Sequence, residues 1–408
     1  MSGSRSRASR PHDHIDALIA AHRKGYGLAR EFYADPAIYE RDLARVLHRH
    51  WHCLAHESVL PDCGDFELFG FGDDSIILTR ADDGVIRAFL NICRHRGAEV
   101  CTERKGNARF FVCPYHAWTY GTDGVLQAAR LMPPDFDRTA FGLKPLRTVI
   151  EAGLVFVSFS AEPLGFTLAA RALRTSCGEY GWGEAKVAHR QTYALDANWK
   201  IAVENYVECY HCSPAHPEYS RTHALERPAE RIAGMNAAME ARTRALSISI
   251  VSGDHWRNSA TEEEAVDTFR YALHRGVATG SEDGRPLAPL MGRFTAFDGG
   301  ATSIHLGGTT FLVCYPDHGM IYRFVPKGVD ACDLELTWLV RKDAEQGRDY
   351  DLDRLTWLWS VTSKQDKRII EHTARGVRSR FFTPGPLAPM ERNELRYIDW
   401  YLQELGRA

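Results

Sequence analysis

The sequence predicts an α+β fold, in which a small antiparallel β domain near the N-terminus precedes a larger part built of an antiparallel sheet and a covering helix. Three observations carry this expectation. Between about Cys53 and Phe159 short β runs alternate with turn signals, and from Thr302 to Lys342 four more β runs follow one another. From Asp351 to Gly376 apolar residues recur at helical spacing. At 408 residues the chain has room for two domains with substantial cores.

Composition excludes several classes of protein. A net charge of −3 leaves no basic footprint for a nucleic acid. No run of eighteen apolar residues occurs, so no spanning helix is expected. The Ser/Arg-rich opening MSGSRSRASRPHDH lacks the apolar core of a secretory signal and reads as a tail, with an organelle transit peptide as the alternative for that composition. The expected compartment is the cytoplasm, where the ten scattered cysteines serve as thiols or metal ligands rather than as a disulfide framework.

In chain order, the stretch 27–51 reads as an extended entry and then a helix. Asp35-Pro36 is its start signal, and Ile38, Leu43, Val46 and Leu47 form its apolar stripe. The β runs FELFGFG, SIILTR, VIRAFLNIC, FFVCPY and GLVFVSF follow, broken by Asp83-Gly84, Asp123-Gly124 and Gly153. Within them lies the spacing Cys93-x-His95-x17-Cys113-x2-His116. Zinc accepts two thiolates and two imidazoles. One Cys and one His in each of two short loops also suits two irons, two sulfurs on one and two imidazoles on the other, the Rieske [2Fe-2S] ligand set.

Residues 160–197 read as a connection rich in small residues. The stretch NWKIAVENYVECYHCSPAHP, Asn198 to Pro217, then concentrates metal-capable groups. If it is helical up to Cys212, Glu204, Glu208 and His211 share one face. Pro214 should break the chain at Ser213, so that His216 comes from the next turn. Residues 218–300 are the least legible, with a helical run expected from Glu262 to Leu273. The β runs TSIHL, TTFLVCYP, MIYRFVP and LELTWLVRK come next, the last with Leu334, Leu336, Trp338 and Val340 alternating with polar residues. On the helix that follows, Asp366 shares a stripe with Leu352, Leu355, Trp359, Thr362, Ile369 and Thr373. A carboxylate there needs a cation opposite it.

The motifs NICRHRGAEVC, FVCPYHAWTYGTDGVL and NWKIAVENYVECYHCSPAHP, in that order, resemble those of the Rieske non-haem iron oxygenase large (alpha) subunits, a likeness that runs from about residue 30 onward. It implies an α+β chain with an all-β Rieske [2Fe-2S] domain inserted near the N-terminus and a helix-grip (START-like) catalytic domain with an antiparallel sheet. The corresponding boundaries are a disordered or poorly ordered tail over 1–26, an N-terminal helical segment over 27–51 packing on the catalytic domain, the Rieske domain over 52–160 and the catalytic domain over 161–408.

By the same resemblance Cys93 and Cys113 hold one iron of the cluster and His95 and His116 the other, while His211, His216 and Asp366 hold a mononuclear Fe(II). Family members form a head-to-tail homotrimer in which a carboxylate bridges a cluster histidine of one subunit to an iron ligand of the next. Glu208 matches that bridging position. Many aromatic-ring dioxygenases have Asp there, and Glu resembles instead the branch acting on glycine betaine, stachydrine and carnitine, as does the tail GVRSRFFTPGPLAPMERNELRYIDWYLQEL. The implied activity is oxidative N-demethylation of a quaternary ammonium compound with O2, releasing formaldehyde. A ring hydroxylase or dioxygenase is the alternative on the same scaffold, and a Rieske electron-transfer protein with a binding module is the alternative of another class. No Gly-x-Gly-x-x-Gly follows a strand, so electrons are expected from a separate flavin/iron-sulfur reductase. A methylated cation needs aromatic faces, which Phe311, Tyr315, Tyr322 and Trp338 offer by residue type. Glu204 has no expected role.

Overall fold

The computed structural model describes residues 11–224, 229–250 and 265–407. From residue 11 the expected tail is instead helical. Helix α1 (Pro11–Ala21) buries Ile15 and lies against the C-terminal helix. A single turn, α2 (Glu31–Ala34), leads to α3 (Pro36–Asp42). Asp35 caps α3 by accepting from the Ala37 amide at 2.8 Å, with Pro36 in the first turn where its missing N–H costs nothing. The helix continues as a π turn over Leu43–Leu47, and Ile38, Val46 and Leu47 are buried as the stripe predicts.

Ten strands follow: β1 (His52–His56), β2 (Asp65–Phe71), β3 (Asp74–Arg80), β4 (Ile86–Leu90), β5 (Lys105–Asn107), β6 (Phe110–Val112), β7 (Thr119–Gly121), β8 (Leu126–Ala128), β9 (Pro145–Glu151) and β10 (Leu154–Ser158). They make an antiparallel seven-stranded sheet in the order β1-β10-β9-β4-β3-β2-β5 and a three-stranded sheet β6-β7-β8. Their hydrophobic patterns are short because each strand is short. The β2–β3 hairpin closes with Phe71 opposite Asp74, and Gly72, at φ +58°, supplies the left-handed turn that a two-residue loop requires.

The connection expected over 160–197 is structured, and that reading is corrected. It contains α4 (Thr167–Thr175) and the long edge strand β11 (Ala185–Leu195). Strand β11 escapes the alternation rule because most of its residues are only half covered, so its side chains carry no clear binary pattern. Helices α5 (Trp199–Val207), α6 (Cys212–Ala215) and α7 (Ala229–Ala245) come next. The helical run expected from Glu262 to Leu273 is corrected to a strand, β12 (Val266–Ala272), for its described part; its first residues lie outside the described ones. Strands β13 (Gly300–Leu306), β14 (Thr310–Cys314), β15 (Gly319–Gly328) and β16 (Ala331–Arg341) complete a six-stranded antiparallel sheet in the order β11-β16-β15-β14-β13-β12.

Helix α8 (Leu352–Val377) lies against β11 and α5, and α9 (Arg392–Gly406) packs on α5. Asp351 caps α8 through the Arg354 amide at 2.9 Å. The buried stripe is Leu355, Leu358, Trp359, Thr362, Ile370, Ala374 and Val377; Thr373, expected on it, is exposed. The stripe drifts because 3.6 residues per turn does not match a strict three-and-four step over so long a helix. The α5 end of this layer is pinned by a buried charge pair. Asp42 accepts from Lys200 Nζ, from Tyr401 Oη at 2.7 Å and from Trp199 Nε1 at 3.3 Å, joining α3, α5 and α9.

Candidate metal centres and the cavity beside them

Two loops of equal design hold the first centre. In one, the Gly97 amide donates to the Cys93 carbonyl at 2.9 Å; in the other, the Ala117 amide donates to the Cys113 carbonyl at 3.0 Å. Gly97 and Ala117 occupy the same place in their loops, and both have positive φ. Each turn folds its cysteine inward and its histidine outward. Cys93 and Cys113 are buried, whereas His95 and His116 are exposed with ring centroids 4.6 Å apart. His95 stacks on Trp118, and the Tyr120 hydroxyl lies 3.4 Å from Cys93 Sγ while accepting from the Arg94 amide at 3.0 Å. Two buried thiols under two surface imidazoles fit a [2Fe-2S] cluster with sulfur on the inner iron and nitrogen on the outer one.

The second centre begins where α5 stops. Asn198 starts the helix by accepting from the Lys200 amide at 3.1 Å, and Trp199, Ile201, Ala202, Val203 and Val207 bury one side of it. The helix does not run to Cys212 as expected, because Glu208 already has extended backbone angles. Its carboxylate turns back onto the chain, accepting from the amides of Tyr210 and His211 and from His211 Nδ1. Such local capping competes with continued helix and wins here. Nor does Pro214 break the chain at Ser213. It sits inside the single turn α6, and His216 caps that turn with its amide on the Cys212 carbonyl at 2.8 Å.

Glu204 instead meets Tyr33 from the N-terminal helices. It is half-buried and accepts from the Tyr33 hydroxyl at 2.8 Å, and desolvation pushes its carboxyl up to about 8. Cys209 and Cys212, expected as thiols or ligands, form a disulfide across the turn that carries His211, while eight other cysteines are free.

His211, His216 and Asp366 are brought together, one ligand atom from each lying within 4.8 Å of the others. His216 Nε2 is 2.9 Å and His211 Nε2 is 3.4 Å from Asp366 Oδ1. That oxygen is buried and makes no hydrogen bond of acceptable geometry. Both outer ring nitrogens are already engaged, Nδ1 of His211 by Glu208 and Nδ1 of His216 by Gln365 Oε1 at 2.7 Å. Burial opposes protonation of His211, but the neighbouring carboxylates of Asp366 and Glu208 outweigh burial and raise it to about 9. Two imidazoles oriented through Nδ1 and one carboxylate on a single face form the donor set of a non-haem ferrous site with open positions.

Beside these three residues lies a cavity of about 390 Å³. Six aromatic rings stand among its walls: Tyr206, Tyr219, Phe269, Tyr271, Tyr322 and Trp359. The rings of Tyr206 and Tyr322 are 4.9 Å apart, and Tyr322 and Tyr219 each stand 5.7 Å from Trp359. His223 and His305 also line it, and burial depresses both to about 3, so neither brings a positive charge. Of the four aromatic residues suggested by type, only Tyr322 lines the cavity. Phe311 and Trp338 are buried in the sheet and Tyr315 just after β14, none of them among the residues lining the cavity. The remaining walls come from α5, α8, β12 and the turn after α6, elements whose meeting no local pattern announces.

Residues 50–147 match the Rieske [2Fe-2S] domain, and residues 183–406 match the catalytic domain of ring hydroxylating alpha subunits. The chain is 32% identical over 396 residues to the glycine betaine monooxygenase oxygenase subunit of Chromohalobacter salexigens, covering 94% of this chain and 87% of the relative. It is 35% identical over 365 residues to the carnitine monooxygenase oxygenase subunit of Escherichia coli K12, covering 88% and 86%. Its fold is similar to that of the quaternary ammonium Rieske monooxygenase CntA, with a TM-score of 0.73 over 96% of this chain and 98% of the other at 21% identity. No helix among the described residues is long and apolar enough to cross a membrane.

Proposed function

We propose, for a chain that belongs to the family of Rieske oxygenase alpha subunits, that this oxidoreductase removes an N-methyl group from a quaternary ammonium compound of betaine type. The observation that supports this reading best is the aromatic cavity beside His211, His216 and Asp366. A methylated ammonium has no N–H to donate, so it is held by the negative faces of aromatic rings rather than by hydrogen bonds. Neutral His223 and His305 add no charge against it, and Arg392, exposed among the residues lining the cavity, suits a carboxylate on the far end of such a substrate.

Cys93, Cys113, His95 and His116 are assigned to the cluster, and His211, His216 and Asp366 to the mononuclear iron. Held by those residues, a cluster would supply electrons one at a time and a ferrous ion would supply oxygen activation beside the substrate. The chain's own residues hold the three ligands open toward the cavity, keep the reacting methyl group in a space walled by rings and exclude bulk water. Overall, O2, two electrons and two protons convert the N-methyl group to N-hydroxymethyl with release of water. Scission of the original N–C bond, now N–CH2OH, then yields formaldehyde, the tertiary amine and a proton. Electrons come from a separate reductase, of flavin/iron-sulfur type, and the working assembly is a homotrimer in which Glu208 links the cluster of one subunit to His211 of the next.

The test is turnover with a reductase on glycine betaine, stachydrine, carnitine and a set of aromatic acids. Formaldehyde from an N-methyl compound is the expected product; ring-hydroxylated acids without formaldehyde would replace this reading with the ring-hydroxylase one.

A further inference from the structure

We infer that Gln365 is a positioning residue for the mononuclear iron, and that Glu218 sets the direction in which its amide points. The inference rests on His211, His216 and Asp366 being the iron ligands, and it concerns how one of them is held.

Helix α8 supplies two consecutive side chains to the same imidazole. Asp366 Oδ1 lies 2.9 Å from His216 Nε2, while Gln365 Oε1 lies 2.7 Å from His216 Nδ1. One helical turn thus addresses both ring nitrogens and fixes the ring's rotation about its long axis. A free glutamine amide can present oxygen or nitrogen with equal ease. This one cannot, because Gln365 Nε2 donates to Glu218 Oε2 at 2.9 Å. Its oxygen must therefore face His216, Nδ1 must carry the proton, and the lone pair is left on Nε2, the atom that faces Asp366 and His211 Nε2. His216 is buried, and the Gln365 amide is the polar partner that its Nδ1 meets there.

The two imidazoles are held unequally, and charge explains why. His211 leans on a carboxylate, Glu208, and His216 on a neutral amide. A divalent ion with Asp366 and Glu208 is already neutral in sum. A carboxylate at 365 would add a negative charge and repel Glu218, whose oxygen would lie where the amide donor now is. Glutamine accepts from His216 and donates to Glu218 at once, which neither Glu nor Leu can do.

The experiment measures ferrous affinity of the full-length protein by anaerobic competition with a chromogenic chelator, beside the cluster absorption and the thermal midpoint of the protein lacking mononuclear iron. Gln365→Leu is expected to weaken Fe(II) binding by about 10- to 100-fold, with cluster absorption and midpoint unchanged. Glu218→Ala should weaken it less, and Glu218→Gln should restore it, since a side-chain oxygen still accepts from Gln365. Gln365→Met, of similar length and without an amide, takes the place of Gln365→Leu should the latter not fold. Affinity within about twofold of the parent for the 365 variant would overturn the inference, provided His216→Ala abolishes binding. Parental affinity in His216→Ala would overturn the ligand assignment instead.

Discussion

His216 Nε2 lies 2.9 Å from Asp366 Oδ1, although the two residues belong to different halves of the catalytic part of the chain. A buried carboxylate oxygen with imidazole nitrogens turned toward it and no hydrogen bond of its own is poised for an ion, not for an ion pair. Replacing His216 or Asp366 by Ala should therefore remove one iron per chain and leave the cluster's visible absorption intact. Metal analysis beside the absorption spectrum checks this, and unchanged iron content would contradict it.

Glu208 accepts from His211 Nδ1 with one oxygen and from two backbone amides with the other. Glu208→Gln keeps an acceptor for the ring nitrogen but loses the charge. Both metals should stay bound, while steady-state turnover falls by about 10- to 100-fold or more. Reduction of the cluster by its reductase should proceed at the parental rate, because the proposed place of Glu208 is after the cluster on the electron route. Normal turnover in this variant would remove Glu208 from the electron route.

Trp359 and Tyr322 stand 5.7 Å apart on the cavity wall. Trp359→Leu should raise KM for glycine betaine by about 2- to 30-fold, the range of one desolvated cation–π contact of about 0.5–2 kcal/mol. The neutral isostere 3,3-dimethylbutyrate should bind the parent more weakly than glycine betaine does, and the variant should show a smaller gap between the two. An unchanged gap would mean that the rings act only as apolar filling.

Glu204 is half-buried and Glu394 buried, and desolvation raises their carboxyls to about 8 and about 9. The folded protein holds their protons over a range in which the unfolded chain has released them, so it binds more protons than the unfolded state. Stability contributed by these groups is therefore full below their unfolded value, near 4.5, and is lost as pH rises through the interval up to about 8 and 9. Glu204→Gln should flatten the fall in stability between pH 6 and pH 9 by an amount on the order of a few kcal/mol. Denaturant midpoints at both pH values measure it, and an equally steep fall in the variant would show that Glu204 is ionised throughout.

The parts of this molecule that were legible in the sequence are those whose signal is local. The two Cys-x-His and Cys-x2-His loops are complete within a few residues each, and Asp366 stands out as a charge on an apolar helical stripe. Glu208 and His211 were legible as residues but not in their geometry, because a side chain folding back on its own turn ended α5 earlier than periodicity suggests. Strand β12 looks helical in the sequence because its polar members, Asp267, Thr268 and Arg270, are buried in the fold, which hides the strand alternation. Gln365 and Glu218 carried no signal at all: an amide acquires a role only when a distant imidazole arrives beside it.

The most direct measurement of the central claim is a single turnover. The protein, reduced at both centres and freed of reductant and reductase, is given O2 and glycine betaine labelled in its methyl groups. Labelled formaldehyde and dimethylglycine are expected in equal amounts, limited by the mononuclear iron present and absent from His216→Ala. Oxidation of the cluster with no labelled formaldehyde, from glycine betaine and from every other N-methyl compound offered, would contradict it.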